Sequence, residues 1–156
     1  MAKAYISIDP GIKGSFCLYC PEENIIEFIP TTLKPLYIYL WIKDIQAKYD
    51  LRVILIEDVH SIFGTSAKSN FNFGFNTGLI TGLSQATGVS VDKVSPKVWQ
   101  KQLGVKSKGK AIKKEVAEIV ERLHPTVEIR GPRGGLLDGL SDSLGIAIYA
   151  YHKYKF

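Results

Sequence analysis

"AYISIDPGIKGS", residues 4–15, decides how the rest of this chain is read. Ala4, Ile6 and Ile8 alternate with Tyr5, Ser7 and Asp9, the period of a strand whose two faces differ. The strand delivers Asp9 at its end. Pro10, Gly11 and Gly14 then turn the chain with few bulky side chains. Two explanations compete. A tight hairpin uses Asp, Pro and Gly as turn formers. A metal or phosphate site also places a carboxylate at a strand mouth and keeps the following turn bare. The stretch alone leaves both open.

Outward from it, "GSFCLYC" (14–20) and "NIIEFIP" (24–30) read as two more strands on short connections, an antiparallel meander. "PLYIYLWIKDIQAKY" (35–49) has helical spacing, with Pro35 suited to the first turn. "RVILIED" (52–58) is a β-branched run of the kind buried on both faces, and it ends in Glu57 and Asp58. A helix is expected over 70–88 despite Gly74, Gly78 and Gly82, then a strand over 89–94. "SPKVWQKQL" (95–103) starts a helix with Ser95 as N-cap and Pro96 at the first position. Residues 109–124 form an amphipathic helix with Ile112, Val116, Ile119, Val120 and Leu123 inward. Residues 126–135 read as a loop or short extended piece, and 136–154 as the last helix. The order is β-β-β-α-β-α-β-α-α-α. It predicts an α/β fold over 1–156 as one domain, with one mixed sheet of antiparallel meander plus parallel strands, flanked by helices.

The composition is that of a soluble globular chain: 46% apolar and 22% charged among 156 residues. No apolar run approaches the ~20 residues that span a bilayer, and no basic segment followed by an apolar stretch opens the chain. The expected location is the cytoplasm, with no membrane partner. Cys17 and Cys20 form a C-x-x-C within a strand, where residues three apart point to opposite faces. No second ligand pair accompanies them, so they read as two reduced, packed thiols.

The charge is unevenly spread. The chain carries +5, yet Lys93, Lys97, Lys101, Lys106, Lys108, Lys110, Lys113 and Lys114 fall in one window without an acid. A solvated surface has such runs, and so does a surface that holds a phosphate backbone.

Four acids stand out. Asp9 ends the first strand and Glu57 the fourth; if the two strands are parallel neighbours, both carboxylates leave the same sheet edge. Asp138 and Asp142 are i and i+4 on the last helix, with the small residues Ser141 and Gly145 allowing close approach to the sheet. Four carboxylates within ~4 Å of one another repel by several kcal/mol unless a cation neutralises them. Hard oxygen ligands suit Mg²⁺ or Mn²⁺, and two ions can share a bridging carboxylate. The plainer readings are Asp9 as turn former, Asp138 as helix N-cap, and Asp58 as a strand-end surface group. Asp142 resists such a reading, because positions 145, 146 and 149 are Gly, Ile and Tyr.

"ISIDPGIKGS", "ILIEDVH" and "LLDGLSDSLGIAIYAYH" resemble, in order, the three acidic motifs of RuvC-type Holliday junction resolvases of the ribonuclease H-like superfamily. The "I-D-P-G" opening and the closing "D-x-L-x-I-A-I" are the most specific parts. The resemblance implies a five-stranded mixed sheet, two Mg²⁺ ions with Mn²⁺ able to substitute, and a homodimer that nicks two symmetric strands of a four-way DNA junction. It implies Asp9, Glu57, Asp138 and Asp142 as metal-binding and catalytic acids, with Lys110 as a catalytic lysine of the basic segment. Lys101, Lys106, Lys108, Lys110, Lys113 and Lys114 would hold DNA, and His60 or Phe63 would stand where the family has a base-stacking aromatic. One departure is visible: many bacterial members space their last two acids by three, and here the spacing is four. Phe71, Phe73 and Phe75 are expected in the core or at a dimer interface.

Three other readings are compared with this one. A related nuclease could act on forks, flaps or RNA-containing duplexes. A non-catalytic junction-binding module would use the acids structurally. A sugar-kinase or actin-like ATPase would need a second domain, for which 156 residues leave no room.

Overall fold

The computed structural model describes residues 1–60 and 64–156. Its strands are β1 (Lys3–Ile8), β2 (Ser15–Cys20), β3 (Ile25–Pro30), β4 (Asp50–Glu57) and β5 (Val91–Val94). Among the described residues the α-helices are α1 (Pro35–Lys48), α2 (Ala67–Ala86), α3 (Pro96–Leu103), α4 (Ala111–Leu123) and α5 (Asp138–Tyr154). One sheet runs β3-β2-β1-β4-β5. The β1–β2 and β2–β3 pairs are antiparallel; the β1–β4 and β4–β5 pairs are parallel. This is the mixed sheet that the element order predicts.

Strand alternation divides the core in two. Ile6, Ile8, Phe16, Leu18, Ile54 and Ile56 face α1 and α2, packing on Ile38, Ile42, Ile45 and Ile80. Tyr5, Cys17, Val53 and Leu55 face the other way, toward Trp99, Val116, Val120, Leu144 and Ala147 of α3, α4 and α5. Cys17 and Cys20 are free, buried and on opposite faces, as strand geometry requires.

The α5 helix lies against the sheet with its first two turns fastened to the β1–β2 hairpin. Ser7 Oγ donates to the Ser143 carbonyl. Ser15 Oγ donates to the Gly139 carbonyl at 3.0 Å and lies 2.6 Å from Ser143 Oγ. A Cβ on Gly139 would sit 2.1 Å from the Lys13 carbonyl oxygen, so only glycine fits there. Gly139→Ala must push helix and hairpin apart. We expect it to destabilise the fold by about 2 kcal/mol or more, lowering the melting temperature by roughly 4–8 °C in a thermal unfolding scan.

Several local expectations are corrected. Gly145 does not approach the sheet; its missing side chain makes room for Trp99 and Leu103 of α3. Leu123 is exposed at the end of α4, where the helix runs past the core. Ser95 occupies the α3 N-cap position without a side-chain capping bond, whereas Ser66 caps α2 by accepting from Ser69 N at 3.1 Å. Phe71 and Phe75 are not in the core. They are 71% and 61% exposed and stack on each other, in the first half of α2, where few residues are buried.

Candidate active site

The β1–β4 register sets the site. Ile8 pairs with Ile56, which places Asp9 and Glu57 side by side at the same end of two parallel strands. Both follow the parity of Tyr5, Ser7, Val53 and Leu55, so both point to the α5 side of the sheet. Asp138 and Asp142 face them from the first two turns of α5. A cleft of ≈ 360 Å³ lies between, lined by Asp9, Gly11, Lys13, Glu57, Val59, Phe73, Lys113, Asp138 and Asp142.

The hairpin does two things at once. Asp9 N donates to Ser15 O at 3.0 Å and Gly14 N to Gly11 O at 2.8 Å, closing a tight turn. Gly11 N also donates to Asp9 Oδ1 at 3.3 Å, which is the turn-forming role of aspartate. Gly14 is glycine for backbone reasons, since its Cβ would fall 1.9 Å from the Asp9 carbonyl oxygen. Gly11 is half-buried beside the Asp9 carboxylate and keeps that side of the cleft bare. Turn and site are therefore one structure.

The electrostatics are those of crowded acids. Burial first, then the charges of Asp9, Glu57 and Asp138, push the Asp142 carboxyl up to about 8. Burial and Asp9 push Glu57 up to about 7, against the opposing pull of Trp99 and Lys113. Asp9 is raised as well, chiefly by burial. Lys113, from the first turn of α4, forms an ion pair with Asp138, and that pair raises the lysine's own pKa. Two lysines, Lys13 and Lys113, against four carboxylates still leave the cleft short of positive charge.

That shortfall tests the fit of a divalent cation. Four hard carboxylates converge and no thiol or imidazole lines the cleft among the described residues, which suits Mg²⁺ or Mn²⁺. Among the described residues, no group of three or more His, Cys, Asp or Glu side chains is already gathered closely enough to hold an ion. The carboxylates stand apart, as like charges do, with Asp138 drawn toward Lys113.

By sequence, no family model and no curated protein matches the chain. By structure, it is similar to Thermus thermophilus RuvC in complex with Holliday junction substrate, with a TM-score of 0.63 and 18% identity. That match covers 97% of this chain and 95% of the other. The chain has the RuvC-type, ribonuclease H-like fold. A second Thermus thermophilus RuvC structure agrees, with a TM-score of 0.58, 19% identity and 97% of each chain covered.

On this RuvC-like fold the sequence-derived residues are distributed as follows. Asp9, Glu57, Asp138 and Asp142 all line the cleft. Asp138 is the first residue of α5 with no capping bond from a side chain, so the N-cap reading is replaced by the pair with Lys113. Among the lysines, Lys113 enters the cleft. Lys110 is exposed at the α4 N-cap position, outside the lining. Lys101, Lys106, Lys108 and Lys114 are exposed on α3, on the 104–110 connection and on α4. His60 is exposed beyond β4, and Phe63 lies outside the described residues. Phe73, expected in a core or interface, lines the cleft with Val59.

Lys13 and Val59 of the cleft lining went unread in the sequence, and so did two residues behind it. Trp99 donates its indole N–H to Glu57 Oε2 at 2.7 Å. A tryptophan on the inner face of a helix needs a partner for its N–H, and that rule is the available signal. Glu115 binds Lys106 N at 2.8 Å and Ser107 N at 2.7 Å, pinning the lysine-bearing connection from within α4. It is the first acid after the lysine run.

Proposed function

We propose that this chain is a divalent-cation-dependent endonuclease that resolves four-way DNA junctions as a homodimer in the cytoplasm. The observation that supports it most is the convergence of Asp9, Glu57, Asp138 and Asp142 on one cleft of a RuvC-like fold, beside an exposed lysine surface. The four carboxylates would hold two Mg²⁺, or Mn²⁺ in their place. Such ions supply an activated water and stabilise the leaving 3′-oxygen.

The chain's own residues do the rest. Lys113 brings a cation to the rim of the acids, where a scissile phosphate needs one. Gly11 leaves the Asp9 carboxylate approachable. Lys101, Lys106, Lys108, Lys110 and Lys114 grip phosphates to either side, with Glu115 holding their connection in shape. Phe73 and Val59 give the cleft an apolar wall.

A four-way junction offers two equivalent strands, and a two-fold dimer meets them symmetrically. The α2 helix supports such a dimer. Gly74, Gly78 and Gly82 recur every four residues with open space above each, and Phe71 and Phe75 stand exposed on the same helix.

The test compares a synthetic four-way junction with flaps, forks, RNA–DNA hybrids and linear duplex at matched ionic strength in Mg²⁺. We expect paired, symmetry-related nicks in the junction at a rate at least about tenfold above every other substrate. Preference for a flap, fork or hybrid would assign the related-nuclease reading. Junction binding without nicking in any divalent cation would assign a binding module.

A further inference from the structure

Trp99 is fully buried, yet it is polar at one atom, and that atom is spent on an acid of the cleft. The topology brings this about. β5 ends at Val94, whose register partner is Glu57 at the end of β4. Ser95 joins β5 directly to α3, so the first turn of α3 rises beside Glu57. Trp99 is then placed with its indole N–H 2.7 Å from Glu57 Oε2. The indole is a donor only, so it holds Glu57 as an acceptor through one oxygen, and a carboxylate held that way still offers the other.

The ring itself is fixed. A Cβ at Gly145 would lie 2.7 Å from Trp99 Cζ3 and 3.3 Å from Leu103 Cδ2, so the indole rests directly on the backbone of α5. That helix also carries Asp138 and Asp142. Trp99 thus touches the element bearing two of the acids and hydrogen-bonds a third.

We propose that Trp99 is a positioning residue of the candidate cation site: its N–H sets the orientation of Glu57, and Gly145 with Leu103 sets the indole. This rests on the reading that the four carboxylates hold a divalent cation. Removing an outer hydrogen bond to a metal ligand weakens metal affinity by about 10–100-fold.

The chain has two tryptophans, and Trp41 lies across the sheet against Phe16. In full-length Trp41→Phe protein, Trp99 emission reports on the site alone. We expect that emission to change saturably on Mg²⁺ titration. We expect Trp99→Phe, which keeps an aromatic ring and deletes the N–H, to weaken Mg²⁺ affinity by about tenfold or more in a thermal-shift titration. Its DNA affinity in chelator should match the wild type. Gly145→Ala keeps the indole and crowds it, and should weaken Mg²⁺ binding in the same direction; it decides the matter if Trp99→Phe fails to fold. Wild-type Mg²⁺ affinity in Trp99→Phe, or Trp99 emission indifferent to saturating Mg²⁺ while the wild type shows a thermal shift, overturns the positioning role alone. A wild type without any Mg²⁺-dependent shift overturns both this role and the cation site beneath it.

Discussion

Asp9→Asn is expected to abolish the proposed junction cleavage and to leave junction binding intact. The expected fall in single-turnover nicking is at least about 10³-fold, equivalent to about 4 kcal/mol of lost transition-state stabilisation. The magnitude follows from position. Asp9 sits between Glu57 on the neighbouring strand and Asp138 on α5, and it is charge-coupled to both. Like Asp142, it feels the charges of all three other acids. Binding survives because affinity for nucleic acid comes mainly from lysines contacting phosphates, and these lie on α3, α4 and their connection. Removing one negative charge from a surface that meets a polyanion should, if anything, tighten binding at low salt. Gel-shift affinity in chelator and nicking rate in Mg²⁺ measure the two halves separately.

Asp142→Asn is expected to stabilise the protein in chelator at pH 8. Burial and three neighbouring acids raise the Asp142 carboxyl to about 8, and burial and Asp9 raise Glu57 to about 7. The sign follows from proton counting. Below about pH 4 these groups are protonated in both the folded and unfolded chain and contribute nothing. Between about pH 4 and 8 the unfolded chain has released the protons that the folded cleft still holds, so stability falls as pH rises. Above about pH 8 the fall levels off. One pKa unit is about 1.4 kcal/mol, and even half of the Asp142 displacement amounts to about 3 kcal/mol. In a chain of this size that is a rise of roughly 6–12 °C in melting temperature for the amide variant. Saturating Mg²⁺ should erase most of the difference, because the cation stabilises the wild type by binding its folded form. Melting curves at pH 5 and pH 8, with and without Mg²⁺, give all four corners of this comparison.

Both predictions draw on features that the sequence shows plainly. Alternation in Ala4–Asp9 and the apolar run before Glu57 identify two strands, and parity then sends both acids to one face. The i, i+4 spacing of Asp138 and Asp142 survives intact on α5. What the sequence conceals is contact made across long separations. Nothing near Gly139 announces that the Lys13 carbonyl lies over it. Nothing in "SPKVWQKQL" says that Trp99 will reach Glu57, because that contact depends on β5 pairing with β4. The lysine run hides its own organisation too. Eight similar residues differ only in where they fall, and Lys113 enters the cleft because the first turn of α4 comes beside the first residue of α5, Asp138. Of the two places expected for the phenylalanines of α2, the core is excluded for Phe71 and Phe75, which are exposed on the single chain.

The central claim is that four carboxylates and a bound divalent cation cut branched DNA. Its most direct test is nicking of a synthetic four-way junction by the wild-type chain, with Mg²⁺ and with chelator, products resolved strand by strand. The account predicts paired nicks in two strands related by the junction's symmetry in Mg²⁺, and intact strands in chelator. Equal cutting in both conditions, or an uncut junction in Mg²⁺ and in Mn²⁺ alike, would contradict it.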